Sequence, residues 1–344
     1  MPLLCPIVKE IASRTNFMFQ VHVRKRIFVQ TNISLEWHVP QTWDESDEYI
    51  GGNMDRAKHV QDDIFIDEIG LHSGRYGAYV LTSSYQPIYR VENRRLVPFG
   101  AEGLIKANFN GSQVPPKTFF SSLPDDDQLF VESMCQALHV HNFSYVDSGG
   151  LELFFNMNPM AHENLPIALH EIRQTVKHLD KLGICPRNLV CEIIETPAMS
   201  TGTLRGIVKE LRRHGIRIAI DDYGSEHSNI DRVETLLPDI VKIDGEWFRQ
   251  IVSFPASARL VATMVNSFKN KNVEVLIEGV ETPGQLKAAI DAGADFIQGY
   301  LLAGPHMAGE DFEWDVLEID ELLKRDETVV RLPDRAPLET AAFS

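Results

Sequence analysis

The chain has 344 residues, 44% of them hydrophobic and 24% charged, a balance that permits a sizeable core and excludes a mainly disordered polymer. That length suits a barrel of roughly 250 residues with an appendage. The formal net charge of −16 excludes broad electrostatic attraction to extended nucleic acid or anionic lipid, which depends on clustered Lys and Arg.

The opening MPLLCPIVKE has too short an apolar run and no basic leader for a secretory signal. No run reaches the roughly 18 apolar residues of a membrane span, so the expected location is the cytoplasm, with no membrane partner. FMFQVHV and IFVQTNISLEWHV alternate apolar with polar residues, which predicts one or two strands inside a small N-terminal extension, residues 1–75. The basic run Arg24-Lys25-Arg26 reads as a solvated turn. QTWDESDEYIGGNMDRAKH is acidic, then Gly-containing and polar, the composition of a linker.

From about Val80 short apolar runs recur: AYVLTSSYQPIY, LVPFGAEGLIK, LELFFNMN, LVCEII, IRIAIDD, IVKID, EVLIEGV and FIQGYL. Between the later ones lie amphipathic stretches such as IALHEIRQTVKHLDKLG and RGIVKELRRHG, the latter stopped by Gly215 in the C′ manner. Strands separated by helices imply parallel pairing, and eight of them predict an α/β fold, a TIM-like (β/α)8 barrel, over residues 76–325. The first connection, RVENRR, is too short for a parallel crossover of a dozen or more residues, so one barrel strand is predicted to be antiparallel. The tail 326–344, with Pro333 and Pro337 and little periodicity, reads as a loosely packed extension. Cys5, Cys135, Cys185 and Cys191 show no CxxC spacing, and neither a disulfide nor a zinc site is predicted.

Polar residues fall at the carboxyl ends of the predicted strands: Glu102, Asn156, Glu192, Asp221 with Asp222, Lys242, Glu278 and Gln298. That end of a β/α barrel carries the active site, because side chains from several strands converge there. Any one such acid is more often a helix cap or a solvated loop residue. A run of six strands each ending in a ligand-type residue favours a site, and these oxygen donors suit magnesium or manganese rather than zinc. The adjacent carboxylates of IAIDDYG repel each other unless a cation lies between them.

The motifs YQPI (85–88), AEGL (101–104), FNMNP (155–159), EIIET (192–196), DDYG (221–224), VKID (241–244), EGVET (278–282) and QGYL (298–301) resemble, in order, those of the EAL family, with EGL in place of EAL. The resemblance implies a cyclic di-GMP phosphodiesterase yielding linear pGpG, with two Mg2+ or Mn2+ ions activating water and clamping the phosphate. Glu102, Asn156, Glu192 and Asp221 match the ligands of the first ion, and Asp221 and Asp222 those of the second. Lys242 and Glu278 match groups that orient or deprotonate the water, with Gln298 beside it. Glu195 matches a glutamate that supports the loop after the Asp pair, and Gln86, Leu104 and Lys106 match contacts to the nucleotide. A homodimer through the barrel is compatible with the resemblance.

Three departures bear on activity. Gly103 removes a methyl from the signature, which is expected to loosen the strand end. Lys106 stands in place of arginine, a point charge instead of a guanidinium fork. The loop YGSEHSN carries Glu226 and His227 where the family has a glycine and an aromatic residue. His227, His139 and His141 read as solvated histidines. The competing class is a catalytically silent EAL-like receptor or adaptor that binds cyclic di-GMP or a protein partner; an unrelated enolase-type barrel would explain the acids but not the ordered motifs.

Overall fold

The computed structural model describes residues 60–324 apart from 147–149, 158–164, 182–183, 194–199 and 226–229. All belong to one of the two units into which the chain divides, Lys58–Ser344. The predicted N-terminal strands, the linker up to residue 59, Arg24-Lys25-Arg26, Cys5, Glu195, Glu226, His227 and the tail 326–344 lie outside the described residues.

In chain order the strands are β1 (Ile64–Ile66), β2 (His72–Tyr76), β3 (Tyr79–Glu92), β4 (Arg95–Phe109), β5 (Ser112–Val114), β6 (Glu152–Met157), β7 (Leu189–Ile193), β8 (Arg217–Tyr223), β9 (Ile240–Ile243), β10 (Glu274–Ile277), β11 (Phe296–Ile297), β12 (His306–Met307) and β13 (Leu317–Glu318). The helices are α1 (Pro116–Ser121), α2 (Asp125–Phe143), α3 (Leu165–Lys181), α4 (Thr201–Arg213), α5 (Ile230–Leu236), α6 (Gly245–Val252), α7 (Pro255–Lys269), α8 (Pro283–Ala292) and α9 (Ile319–Leu322). Eight strands close into a barrel in the order β3-β11-β10-β9-β8-β7-β6-β4, with β4 returning to β3. β3 runs antiparallel to both of its barrel neighbours, and the remaining pairs are parallel. The single reversed strand follows from the short connection within RVENRR, where Asn93 and Arg94 have φ of 49° and 63°, the pair of positive values a two-residue type I′ hairpin requires.

Helix ends carry their stop and start signals. Ser200 caps α4 by accepting from the Thr203 amide, and Gly215 follows the helix at φ +87°. Thr282 and Gln285 form a capping box on α8, with Pro283 in the first turn and Gly293 left-handed after the last.

The period of two along each strand stacks the barrel interior in layers. The middle layer is apolar: Ile88, Phe154, Val190, Ala219, Ile240, Leu276 and Phe296. Two residues toward the amino end come Glu152, Arg217 and Glu274, joined by Arg90 of the reversed strand. Arg217 pairs with Glu152 at 2.9 Å and also with Glu274; Arg90 pairs with Glu274 at 2.9 Å and lies over the Phe99 and Phe296 rings. This ionic layer lies at the amino end of the barrel. Two residues toward the carboxyl end come Asn156, Glu192, Asp221, Lys242, Glu278 and Gln298.

β3 and β4 are 14 and 15 residues long and run on past the barrel. Their far ends pack with α1 and α2 around Leu81, Ile105, Ala107, Phe119, Met134 and Leu138. β1 and β2 join this sheet through Gly74 opposite Leu81. No helix of the described residues is long and apolar enough to cross a membrane.

Candidate active site

The carboxyl-end layer converges on Lys242, whose side chain is 1% exposed. Its Nζ lies 2.6 Å from Glu192 Oε1, 2.8 Å from Glu278 Oε1, 3.0 Å from Asp221 Oδ1 and 3.6 Å from Glu102 Oε1. Gln298 donates from Nε2 to Glu102 Oε2 at 2.9 Å. Asn156 sits opposite Glu192 in the β6/β7 register. The structure therefore brings together six residues named from the sequence, on β4, β7, β8, β9 and the ends of β10 and β11, and sets Asn156 beside them.

Asp222 joins the cluster through a local irregularity. Strict alternation would turn adjacent residues to opposite faces. Between the pairs Ile220↔Val241 and Tyr223↔Ile243, two residues of β8 face one of β9, and Asp222 takes φ +55°. This bulge re-aims a side chain, as bulges beside sites commonly do. Carboxylate oxygens of Asp221, Asp222 and Glu278 consequently lie within 4.8 Å of one another.

Four carboxylates, those of Glu102, Glu192, Asp221 and Glu278, surround one ammonium, and Asp222 adds a fifth beside Asp221 and Glu278. Burial raises Glu192 well above the ordinary carboxylate range, against the pull of Lys242. Burial likewise pushes Glu278 up to about 8 and Asp222 up to about 6, the latter helped by Asp221. Burial alone would lower the Lys242 ammonium, but the summed attraction of Asp221, Glu102, Glu192 and Glu278 outweighs it and holds the group charged. Glu192 Oε2 and Gln298 Oε1 are buried without a hydrogen-bond partner among the described residues, while Glu192 Oε1 and Asp221 Oδ1, also buried, face the Lys242 ammonium at 2.6 and 3.0 Å. Buried oxygens of this kind, with excess negative charge, fit a site for divalent cations.

Glu102, Leu104 and Lys106 occupy alternate positions of β4 and so share its face, with Gln86 directly opposite Glu102 on β3. Gln86 donates from Nε2 to the Ala303 carbonyl at 3.2 Å. Lys106 makes no ion pair among the described residues.

Two expectations drawn from the sequence are corrected. His139 is not solvated: it is 4% exposed, with Nδ1 3.0 Å from Ser83 Oγ. Nor does Gly103 leave slack, because His139 packs against it; a Cβ built there would meet His139 Cγ at 2.8 Å. His141, two residues on, stacks on His72 at 4.3 Å. Trp247 also escaped the sequence reading; its indole lies against Gly224, the left-handed glycine that follows the Asp pair.

A closed barrel with one reversed strand and a carboxylate ring around a lysine at its carboxyl mouth defines a class of barrel with an oxygen-donor site. The chain belongs to the EAL domain family, whose model matches residues 80–305. It is 29% identical over 211 residues to a probable cyclic di-GMP phosphodiesterase, PdeA, of Escherichia coli K12, covering 59% of this chain and 28% of that protein. It is 26% identical over 242 residues to the cyclic di-GMP phosphodiesterase RocR of Pseudomonas aeruginosa, covering 69% of this chain and 59% of that protein. The chain thus matches less than two thirds of either relative's length. Among solved structures, the EAL-domain protein YkuI of Bacillus subtilis, in complex with substrate c-di-GMP and calcium, superposes with a TM-score of 0.60 at 26% identity, over 70% of this chain and 59% of that one.

Proposed function

We propose that this protein is a Mg2+- or Mn2+-dependent phosphodiesterase that opens cyclic di-GMP to linear pGpG. The observation that carries the reading is the ring of carboxylates about Lys242 joined to the bulged Asp221-Asp222 pair. With every carboxylate ionised the cluster holds four more negative than positive charges, an excess that two divalent cations would balance and that a nucleotide phosphate would otherwise meet as repulsion.

In this reading Glu102, Asn156, Glu192 and Asp221 would hold one ion, and Asp221 and Asp222 a second. When bound, the ions supply polarisation of water and neutralisation of charge on the phosphate. Glu278, raised by burial, suits a group that takes or orients the proton of the attacking water. Lys242 keeps its charge and fixes Glu192 and Glu278 relative to each other, while Gln298 fixes Glu102. The water oxygen bonds to phosphorus, the bond from phosphorus to one ribose 3′ oxygen breaks, and that oxygen leaves with a proton. Gln86, Leu104 and Lys106, on the face of the hairpin that bears Glu102, would contact the nucleotide; Glu195 keeps its proposed part as support for the loop after the Asp pair.

The test is incubation of the purified chain with cyclic di-GMP and Mg2+ or Mn2+, with products separated by chromatography. Appearance of pGpG supports the enzyme. Tight nucleotide binding with no product would assign the chain to the receptor class.

A further inference from the structure

The EGL signature has a structural counterpart on α2. Gly103 is buried, and an ideal Cβ on it would lie 2.8 Å from His139 Cγ, 3.1 Å from His139 Cβ and 3.2 Å from His139 Cδ2. An alanine methyl, present in the family's signature, has no room while the imidazole stays. The imidazole is itself tied down: Nδ1 is 3.0 Å from Ser83 Oγ, and the Tyr85 hydroxyl donates to the His139 carbonyl at 2.7 Å. Tyr85 is the register partner of Gly103, and Ser83 that of Ile105. Residues 83, 85, 103 and 139 thus knot both strands of the hairpin to α2, one residue away from Gln86 on one strand and from Glu102 on the other. Three residues earlier on α2, Gln136 donates from Nε2 to the Asn156 carbonyl at 3.1 Å. The same helix therefore grips β4 beside Glu102 and β6 at Asn156.

We propose that His139 is a positioning residue for the candidate metal site, matched to Gly103: its imidazole takes the volume of the missing methyl and sets the stretch of β4 that presents the Glu102 carboxylate. This rests on the reading of Glu102 as a cation ligand. Burial keeps the imidazole neutral, its proton affinity lowered to about 4, so it can sit behind an acidic cluster without adding charge there. Ser83 is 1% and His139 4% exposed, which separates this role from that of a nucleophile and base.

The experiment is a double-mutant cycle in the full chain with Gly103→Ala, His139→Ala and the pair, reading Mn2+ affinity by calorimetry beside kcat and KM for cyclic di-GMP. Gly103→Ala alone is expected to weaken Mn2+ binding about tenfold and to lower kcat with KM little changed, whereas in the His139→Ala background the same change should move Mn2+ affinity by less than about twofold. Equal losses in both backgrounds, or no loss in either, would overturn the proposal. If Gly103→Ala alone does not fold and the double variant does, the coupling is shown directly. His139→Ala, which opens space instead of overfilling it, remains measurable, and unchanged Mn2+ affinity in it also overturns the proposal. Coupled Mn2+ affinities with cyclic di-GMP left intact by every variant would sink the phosphodiesterase reading alone; turnover with additive affinities would sink this inference alone.

Discussion

Lys242 Nζ lies 2.6 Å from Glu192 Oε1, and both side chains are shut off from solvent. Removing one partner of such a pair leaves an uncompensated buried charge, which costs about 3–5 kcal/mol. Lys242→Met, similar in length and without charge, is therefore expected to destabilise the metal-free protein by about that amount, less whatever protonation of the acids absorbs. Excess Mn2+ should recover much of the loss by replacing the missing positive charge. Thermal unfolding with and without Mn2+ checks this; an undiminished melting temperature in the metal-free variant would show that Lys242 is not the counter-ion of the ring.

Asp222→Asn should move stability and activity in opposite directions. Its carboxyl is pushed up to about 6, by burial and then by Asp221, so the ionised form at pH 7 opposes folding and that cost fades as pH falls through 6. The residue as a whole keeps much of its surface in water, so its carboxylate is only partly desolvated, and after screening the cost is about 1 kcal/mol. Asparagine removes it and also tolerates φ +55° well. The metal-free variant is expected to melt higher than the parent, bind one ion fewer and lose about 100-fold or more in turnover. A variant with parental turnover would remove Asp222 from the site.

His139 gives the fold an acid sensitivity. Folded, its proton affinity is lowered to about 4 by burial alone; unfolded, it returns to 6.5. The unfolded chain then binds the extra proton between these values, so stability is complete above pH 6.5 and falls as pH drops toward 4. Between pH 7 and pH 5 the loss attributable to His139 is about 2 kcal/mol. His139→Met, which cannot titrate, should lose that much less over the same interval in denaturant titrations; parallel pH dependence of the two proteins would show that the buried imidazole is not held neutral.

Lys106 lies on the face of β4 that carries Glu102 and Leu104, four residues beyond Glu102 toward the hairpin's free end. If it meets a substrate phosphate, Lys106→Arg adds a second prong present equally in ground and transition states. KM should fall roughly fivefold, about 1 kcal/mol, with kcat nearly unchanged. Steady-state kinetics checks this, and an unaltered KM would place Lys106 out of reach of the ligand.

Much of this architecture is legible in the sequence because it rests on local period and connection length. The alternation of apolar runs with helical stretches gives the barrel, and the brief RVENRR gives its one reversed strand. The site layer is visible as the next inward position after each apolar one: Asn156 after Phe154, Glu192 after Val190, Lys242 after Ile240, Gln298 after Phe296. What escapes depends on register or on distant packing. A strict period of two sends Asp222 away from Asp221, and only the bulge against β9 turns it back. Glu152, Arg217 and Glu274 look like ordinary strand-start charges until the closed barrel brings them to Arg90. His139 on a helix and Gly103 on a strand, 36 positions apart in the chain, show their fit only once α2 is laid against the hairpin.

On the proposed function, the carboxylate cluster uses divalent cations to direct water at a phosphodiester. The decisive experiment incubates the purified chain with cyclic di-GMP in 18O-labelled water with Mg2+, Mn2+ or Ca2+ and weighs the product. The expected product is pGpG carrying one labelled oxygen in its new phosphate with Mg2+ or Mn2+, and bound but intact nucleotide is expected with Ca2+, whose longer, looser coordination misplaces the attacking water. Equal turnover in all three metals, or intact nucleotide in every one, would contradict it.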